Sequence, residues 1–323
     1  MRRLFGKPAT QTALRYVGTA LSLGLLFYLI SQQGWQEIGE SVRQVSIGRL
    51  ALVAALAFLS RLAIAGRWTC LLLLSGVDVP LGRIMRITFA GLFASNFLPT
   101  SIGGDIVRLA GAVQLESQRG KYVSSIAVDR LVGLFANAML LPVGVAQVLA
   151  GPGLAAIGGL KSWGMPLPVL ALAAGNPSLE GGSNRIRDGL RRVLEIGRLW
   201  ISSPRALLAS FGFAWVNVML RFSSMWLLFN ALGAELGYWQ IAGLWSFVYI
   251  ISLFPVSINS WGLQEVSAGL VFSTVGGVAT TTALTVALLM RTVETLASLP
   301  GVIALPGLMA LRSAQTRSDA DSQ

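Results

Sequence analysis

The 323-residue sequence contains no histidine and one cysteine, Cys70. Without imidazole, histidine-based acid–base chemistry and His/Cys metal sites are excluded, and one cysteine cannot make an internal disulfide. Cys70 follows Trp68-Thr69 in an apolar stretch, which predicts a small buried residue. Charge is also scarce. Only 12% of residues are charged, against about 25% in an ordinary soluble domain. Apolar residues instead make up 54% of the chain. Several apolar runs approach the roughly 20 residues that cross a bilayer as a helix. The composition predicts an all-α polytopic membrane protein.

The 25 Lys and Arg exceed the 14 Asp and Glu, giving a net charge of +11. The excess sits largely in loops, where Lys and Arg mark the cytoplasmic side. It also suits attraction to anionic headgroups and does not call for nucleic acid.

Charge placement predicts the path of the chain. A basic cytoplasmic N-terminus, 1–14, precedes a retained first span at about Tyr16 to Ile30 and a polar outer segment, 32–46. The second span, 47–74, brings Arg67 and Trp68 towards its inner end, where Arg snorkels and Trp favours the interface. Arg61 lies deeper. Spans or half-spans are then expected at 84–98, to about Leu115, at 122–149, at 154–174, at 206–232, at 239–256, at 262–276 and at 280–311. The polar stretch 175–205 holds Arg185, Arg187, Arg191, Arg192 and Arg198 and is expected inside, as is the tail 313–323. The domain reads as 15–312, with repeat halves at about 47–174 and 206–311. The expected total is about eight helices.

Two interruptions stand out. One reads Asn96-Phe97-Leu98-Pro99-Thr100-Ser101-Ile102-Gly103-Gly104-Asp105. The other reads Pro255-Val256-Ser257-Ile258-Asn259-Ser260-Trp261-Gly262-Leu263-Gln264-Glu265. Both contain Pro-x-Ser-Ile, and both pass through Gly to a carboxylate. Pro cannot donate a backbone hydrogen bond and clashes with the preceding turn, while Gly allows the dihedrals that follow. Broken helices at matching places in two halves predict a binding site between inverted repeats. The first hairpin is expected to enter from the inside and the second from the outside. Helix N-termini near Gly103 and Gly262, with Ser101, Ser257 and Asn259 as polar donors, would suit a phosphate or carboxylate. The same breaks are also compatible with kinks that only shape packing.

Charged residues within the spans each cost about 2.5–3.5 kcal/mol on insertion scales. Those expected here are Asp105, Arg108, Asp129, Arg130, Arg221, Glu265, Arg291 and Glu294. Asp105/Arg108 and Arg291/Glu294 are spaced to pair within a helix. Asp129 and Arg130 face different directions, so each needs a partner elsewhere. Such charges either form internal salt bridges or line a site, and both signs together suit an anionic or zwitterionic headgroup. No Walker A or dinucleotide fingerprint and no nucleophile–base pair appear, so neither a cofactor nor an enzymatic role is expected.

At these residues the sequence resembles the transmembrane, flippase-like region of the lysylphosphatidylglycerol synthase family. The likeness rests on Asn96, Leu98-Pro99, Gly103-Gly104-Asp105 and Arg108, on Asp129-Arg130, and on Pro255 to Ile258 with Gly262 and Glu265. It continues through Arg291 and Gly301 and covers roughly 12–312. Asp129 stands where Glu is usual, and Ser260 replaces a common Gly. The resemblance implies a stand-alone inner-membrane member without the soluble synthase domain, and a lipid transporter of flippase or scramblase type. Membrane lipids would be its partners, with a lipid- or glycan-pathway enzyme as another. Two alternatives stay open: a secondary transporter of a small solute, and a non-catalytic membrane subunit.

Overall fold

A computed structural model of the chain describes residues 24, 27, 28, 31, 35–97, 103–110, 119–150, 204–253 and 260–304. Among these residues, helices are the only regular elements. They are α1 Trp35–Gln44, α2 Ile47–Leu74, α3 Leu81–Phe97, α4 Gly103–Ala110, α5 Arg119–Ala138, α6 Leu141–Ala150, α7 Pro204–Ala231, α8 Tyr238–Leu253, α9 Leu263–Thr274 and α10 Thr280–Ala297. Four stretches are long and apolar enough to cross a membrane: Ile47–Leu74, Gly120–Leu149, Leu207–Ala231 and Thr280–Ala304.

The expected second span and α2 share their bounds. Ser46 precedes the helix and its Oγ accepts a hydrogen bond from the Arg49 N–H at 3.4 Å, a capping contact. The span expected at 122–149 is instead two helices in line, α5 and α6, joined by a turn at Met139-Leu140. Pro142 lies near the start of α6, where its missing N–H is least costly. The segment 32–46, expected to be polar and outside, holds the helix α1 over Trp35–Gln44. Its Ile38 is buried in a small cluster with Val266 and Leu284. Most of the first span, the span at 154–174, the tail and the basic loop expected at 175–205 lie outside the described residues, except that Pro204 and Arg205 already belong to α7.

The bundle turns its apolar residues both ways. Inside, Val53 and Ala57 of α2, Phe222 and Phe229 of α7, Trp245 of α8 and Phe272 of α9 belong to one core. Outside, large residues such as Phe58, Phe135 and Leu208 are exposed. An apolar exterior over a partly polar interior is what a bilayer solvent demands.

Helix directions follow from contacts. The Asn217 amide of α7 donates to the Ser60 carbonyl of α2 at 3.0 Å, and Phe213 packs against Gly66, so these helices are antiparallel. Gly91 and Gly104 bring the α3 and α4 backbones together; a Cβ at Gly104 would lie 2.6 Å from the Gly91 carbonyl oxygen. α3 runs against the end of α10, where Asn96 bonds Ser298 and Phe89 abuts Gly301. α9 is also antiparallel to α10, through Gly269 against Leu284 and Glu265 against Arg291. α8 folds back on α9, with the Ser260 hydroxyl donating to the Ser252 carbonyl at 2.7 Å and Leu244 against Gly276. The pairs α3/α4 and α8/α9 therefore point in opposite directions, as the charge pattern predicts.

Candidate functional site

The site is built where the two interrupted pairs meet. Asn96 lies in the last turn of α3, and its amide donates to the Ser298 hydroxyl at 3.0 Å. Its carbonyl accepts the Trp261 indole N–H at 3.2 Å. One break's entrance thus touches the other's exit across 165 residues of sequence. Ser298 sits in a turn that interrupts the last helix, and Gly301 just beyond it lies against the α3 backbone at Phe89, leaving no room for a side chain.

Behind the first pair, buried charges form a chain. The Asp129 carboxylate accepts from Arg67 Nε at 2.6 Å and from Arg108 Nη1 at 2.9 Å. Arg108 also lies 3.6 Å from Asp105, one helical turn away. Asp105 accepts from Arg130 Nε at 2.7 Å. Asp129 is 1% exposed, whereas the Arg130 side chain is 51% exposed, so the chain leads from the core to the surface. The Arg108 guanidinium stacks 4.1 Å over the Trp68 ring. Trp68 is fixed by its own N–H bond to the Ser125 hydroxyl at 3.0 Å, and Tyr122 donates to the Arg108 carbonyl at 2.9 Å. A stacked, paired Arg of this kind is held rigidly, unlike a lysine on a flexible stem.

The second pair has its own cluster. Arg291 Nε donates to Glu265 Oε1 at 2.6 Å, and Nη2 reaches the Ser260 carbonyl at 3.3 Å. Trp261 lies beneath that guanidinium at 5.3 Å. Glu294, a turn further along α10, is clasped by Arg61 at 3.1 Å and Arg221 at 3.0 Å. Arg221 in turn lies over Trp245 at 5.0 Å. Ser260 has φ +56° and Gly262 φ +77°. The first is a left-handed conformation that costs an ordinary residue about 1–2 kcal/mol. Glycine adopts it freely.

Several sequence expectations change here. Arg67 and Trp68 do not reach for an interface: they are 9% and 0% exposed, because Asp129 and Ser125 on α5 satisfy their polar groups inside the bundle. Arg291 and Glu294 are used across helices, by Glu265 and by Arg61 with Arg221, where pairing within α10 was expected. Asp105 and Arg108 do face each other, and Asp129 and Arg130 each find a partner elsewhere, as expected. Cys70 is partly exposed, not fully buried. Gly103 opens α4 and Gly104 packs on Gly91. Pro99, Ser101, Pro255, Ser257 and Asn259 lie outside the described residues. Sequence reasoning left Arg61, Arg67, Trp68 and Ser298 out of the site. An Arg well inside an apolar run is itself the signal that finds the first two.

Apolar helices facing outward, with paired charges enclosed within them, define an integral membrane protein. The family model described as the lysylphosphatidylglycerol synthase TM region matches residues 15–301, and the chain belongs to that family. No curated protein matches the chain.

Proposed function

We propose that the protein is a lipid transporter of flippase or scramblase type, moving a phospholipid or lipid-linked headgroup between the leaflets of the inner membrane. The observation that carries this reading is the Asn96–Trp261 contact. It joins two oppositely directed, interrupted helix pairs beside enclosed charges, the arrangement in which transporters place substrate between repeats. In this reading the α3/α4 and α8/α9 pairs are re-entrant. The headgroup meets Arg130, the exposed end of the first charge chain, and the acyl tails stay in lipid. Asp105 and Glu265 orient the arginines. The chain carries its substrate without transforming it, and transport runs downhill or is ion-coupled, since no nucleotide motif is visible. Both termini face the cytoplasm.

The test is leaflet exchange in proteoliposomes with fluorescent phospholipids and an impermeant quencher. Exchange well above that of protein-free vesicles is expected. Folded protein that exchanges none of the lipids offered counts against transport and favours a non-transporting subunit.

A further inference from the structure

Four carboxylates take part in the described ion pairs of the bundle, and they are not held alike. Asp105, Asp129 and Glu294 each pair with two arginines, one at either oxygen and all within 3.6 Å. Glu265 pairs with Arg291, whose Nε reaches Oε1 at 2.6 Å. Its other oxygen, Oε2, is buried without a hydrogen-bond partner, and the residue is 2% exposed. Buried polar atoms are normally satisfied, and an enclosed oxygen left open is costly. Oε2 can take a proton without displacing an arginine, which none of the other three carboxylates offers.

The surroundings leave that role to Glu265. It is the only ionisable residue of α9. The neighbouring α10 brings Arg291 and, one turn on, Glu294, which stays with Arg61 and Arg221. From α8 come only Tyr238, bonded to the Met219 carbonyl, and Tyr249. α1 meets α9 through Ile38, and its Glu37, Glu40 and Arg43 are exposed. The break sequences 98–102 and 254–259 contain no charged residue. Arg291 is not stranded when the carboxylate is neutralised, since its Nη2 reaches the Ser260 carbonyl at 3.3 Å and the Gln264 side-chain oxygen at 3.4 Å. Gln264 is half-buried and the Arg291 side chain is 13% exposed, so a small opening of this turn admits water to Oε2.

We infer that Glu265 is a proton-operated latch: a proton taken up by Oε2 from hydronium, which leaves as water, releases the first turn of α9 from α10 and loosens the junction between the two halves. Neutral Glu265 keeps a hydrogen bond from Arg291 but loses the attraction of opposite charges, which is strong in an enclosed site. Arg291 also contacts the Ser260 carbonyl and lies over Trp261, whose N–H holds the Asn96 carbonyl of the other pair. A loosened Arg291 therefore loosens a turn that ties both breaks together. Low pH favours the released state, because that state binds the proton more tightly than the closed one. This rests on the transport reading above and names the coupled ion as the proton.

The test uses the full chain in phosphatidylcholine nanodiscs. Amide hydrogen exchange, corrected for the chemical rate, reads the first turns of α9. Between about pH 8 and about pH 5, protection there is expected to fall about tenfold, within the limit of about tenfold per pH unit that one linked proton sets. Over the same range, infrared difference spectra should gain a protonated-carboxyl band. Glu265→Gln should lack that band and show low protection at every pH. Should it fail to fold, Glu265→Asp keeps the acid on a shorter stem and should move the midpoint of both signals. Protection unchanged by pH in the wild type overturns the inference. So does a band and response kept by the glutamine variant, or a midpoint unmoved in the aspartate variant. Exchange of fluorescent phosphatidylglycerol in proteoliposomes separates the two readings. Exchange without a pH response in α9 defeats the latch alone, and a pH response without exchange of any phospholipid offered defeats transport alone.

Discussion

Arg130 and Arg291 make the same contact in the two halves of the chain. Each uses its Nε to reach a carboxylate in the first turn of the helix after a break, Asp105 or Glu265. The separations are 25 and 26 residues. The repeat therefore extends beyond Pro-x-Ser-Ile to an ion pair that ties each half-helix to the next long one.

Their environments differ, and so should their variants. The Arg291 side chain is 13% exposed and cannot turn to water, whereas Arg130 can. Glu265→Gln is expected to destabilise the protein by about 3–5 kcal/mol, the cost of stranding a buried charge. Asp105→Asn should cost clearly less. Thermal unfolding in detergent ranks them. Under the transport proposal both variants lose leaflet exchange, and undiminished exchange in both would sink the assignment of these carboxylates.

Asp129 holds two buried arginines at once. Asp129→Asn strands Arg67 and leaves Arg108 only its longer 3.6 Å contact with Asp105, with a loss of about 3–5 kcal/mol expected. Membrane accumulation should fall sharply. Adding Arg67→Met should recover part of it, because one stranded charge is removed. A double variant no better than the single one would show that Arg67 is not held by Asp129.

The Gly91–Gly104 crossing gives a graded test. Gly104→Ala drives a methyl group into the Gly91 carbonyl and should cost about 1–3 kcal/mol, as overpacking does. Gly48→Ala meets nothing within 4 Å and should be neutral or slightly stabilising, as alanine favours helix. Equal melting temperatures for the two variants would contradict the close crossing.

At the second break, Ser260 trades backbone strain for its hydrogen bond to Ser252. Ser260→Ala loses the bond and keeps the strain; Ser260→Gly loses the bond and relieves it. The glycine variant should be the more stable by about 1 kcal/mol, readable by thermal unfolding.

Cys70 is the only thiol, so a Cys70→Ala background is free of reactive sulfur. On the proposed orientation, Glu235→Cys should react with an impermeant maleimide added outside intact cells. Arg83→Cys should react only after the membrane is opened. The reverse pattern would invert the topology.

Much of this was legible in the residues. Pro99 with Gly103-Gly104, and Pro255 with Gly262, mark the interruptions because backbone constraints are local. The opposite direction of the two pairs could be read from Arg placement. Tertiary partners could not. Arg67 was expected at an interface because distance from a helix end is a one-dimensional measure, while its real determinant, Asp129, lies on another helix. The α1 helix was missed because a polar segment hides a weak apolar spacing: Ile38, Val42 and Val45 recur at helical intervals, with Ile38 buried beside α9 and α10 and Val45, just past the helix, buried in the main core. Nor does any local pattern announce that Asn96 will meet Trp261.

The partners of α2 also set an order of assembly. Arg67 gains Asp129 after 62 further residues, but Arg61 waits 233 for Glu294. At about 5–20 residues per second, that is an interval of roughly 10–50 s during synthesis. Throughout it a guanidinium sits in a nascent membrane helix without its carboxylate. The insertion machinery, water or lipid phosphate must shelter it, and the polar interior closes only when the last long helix arrives.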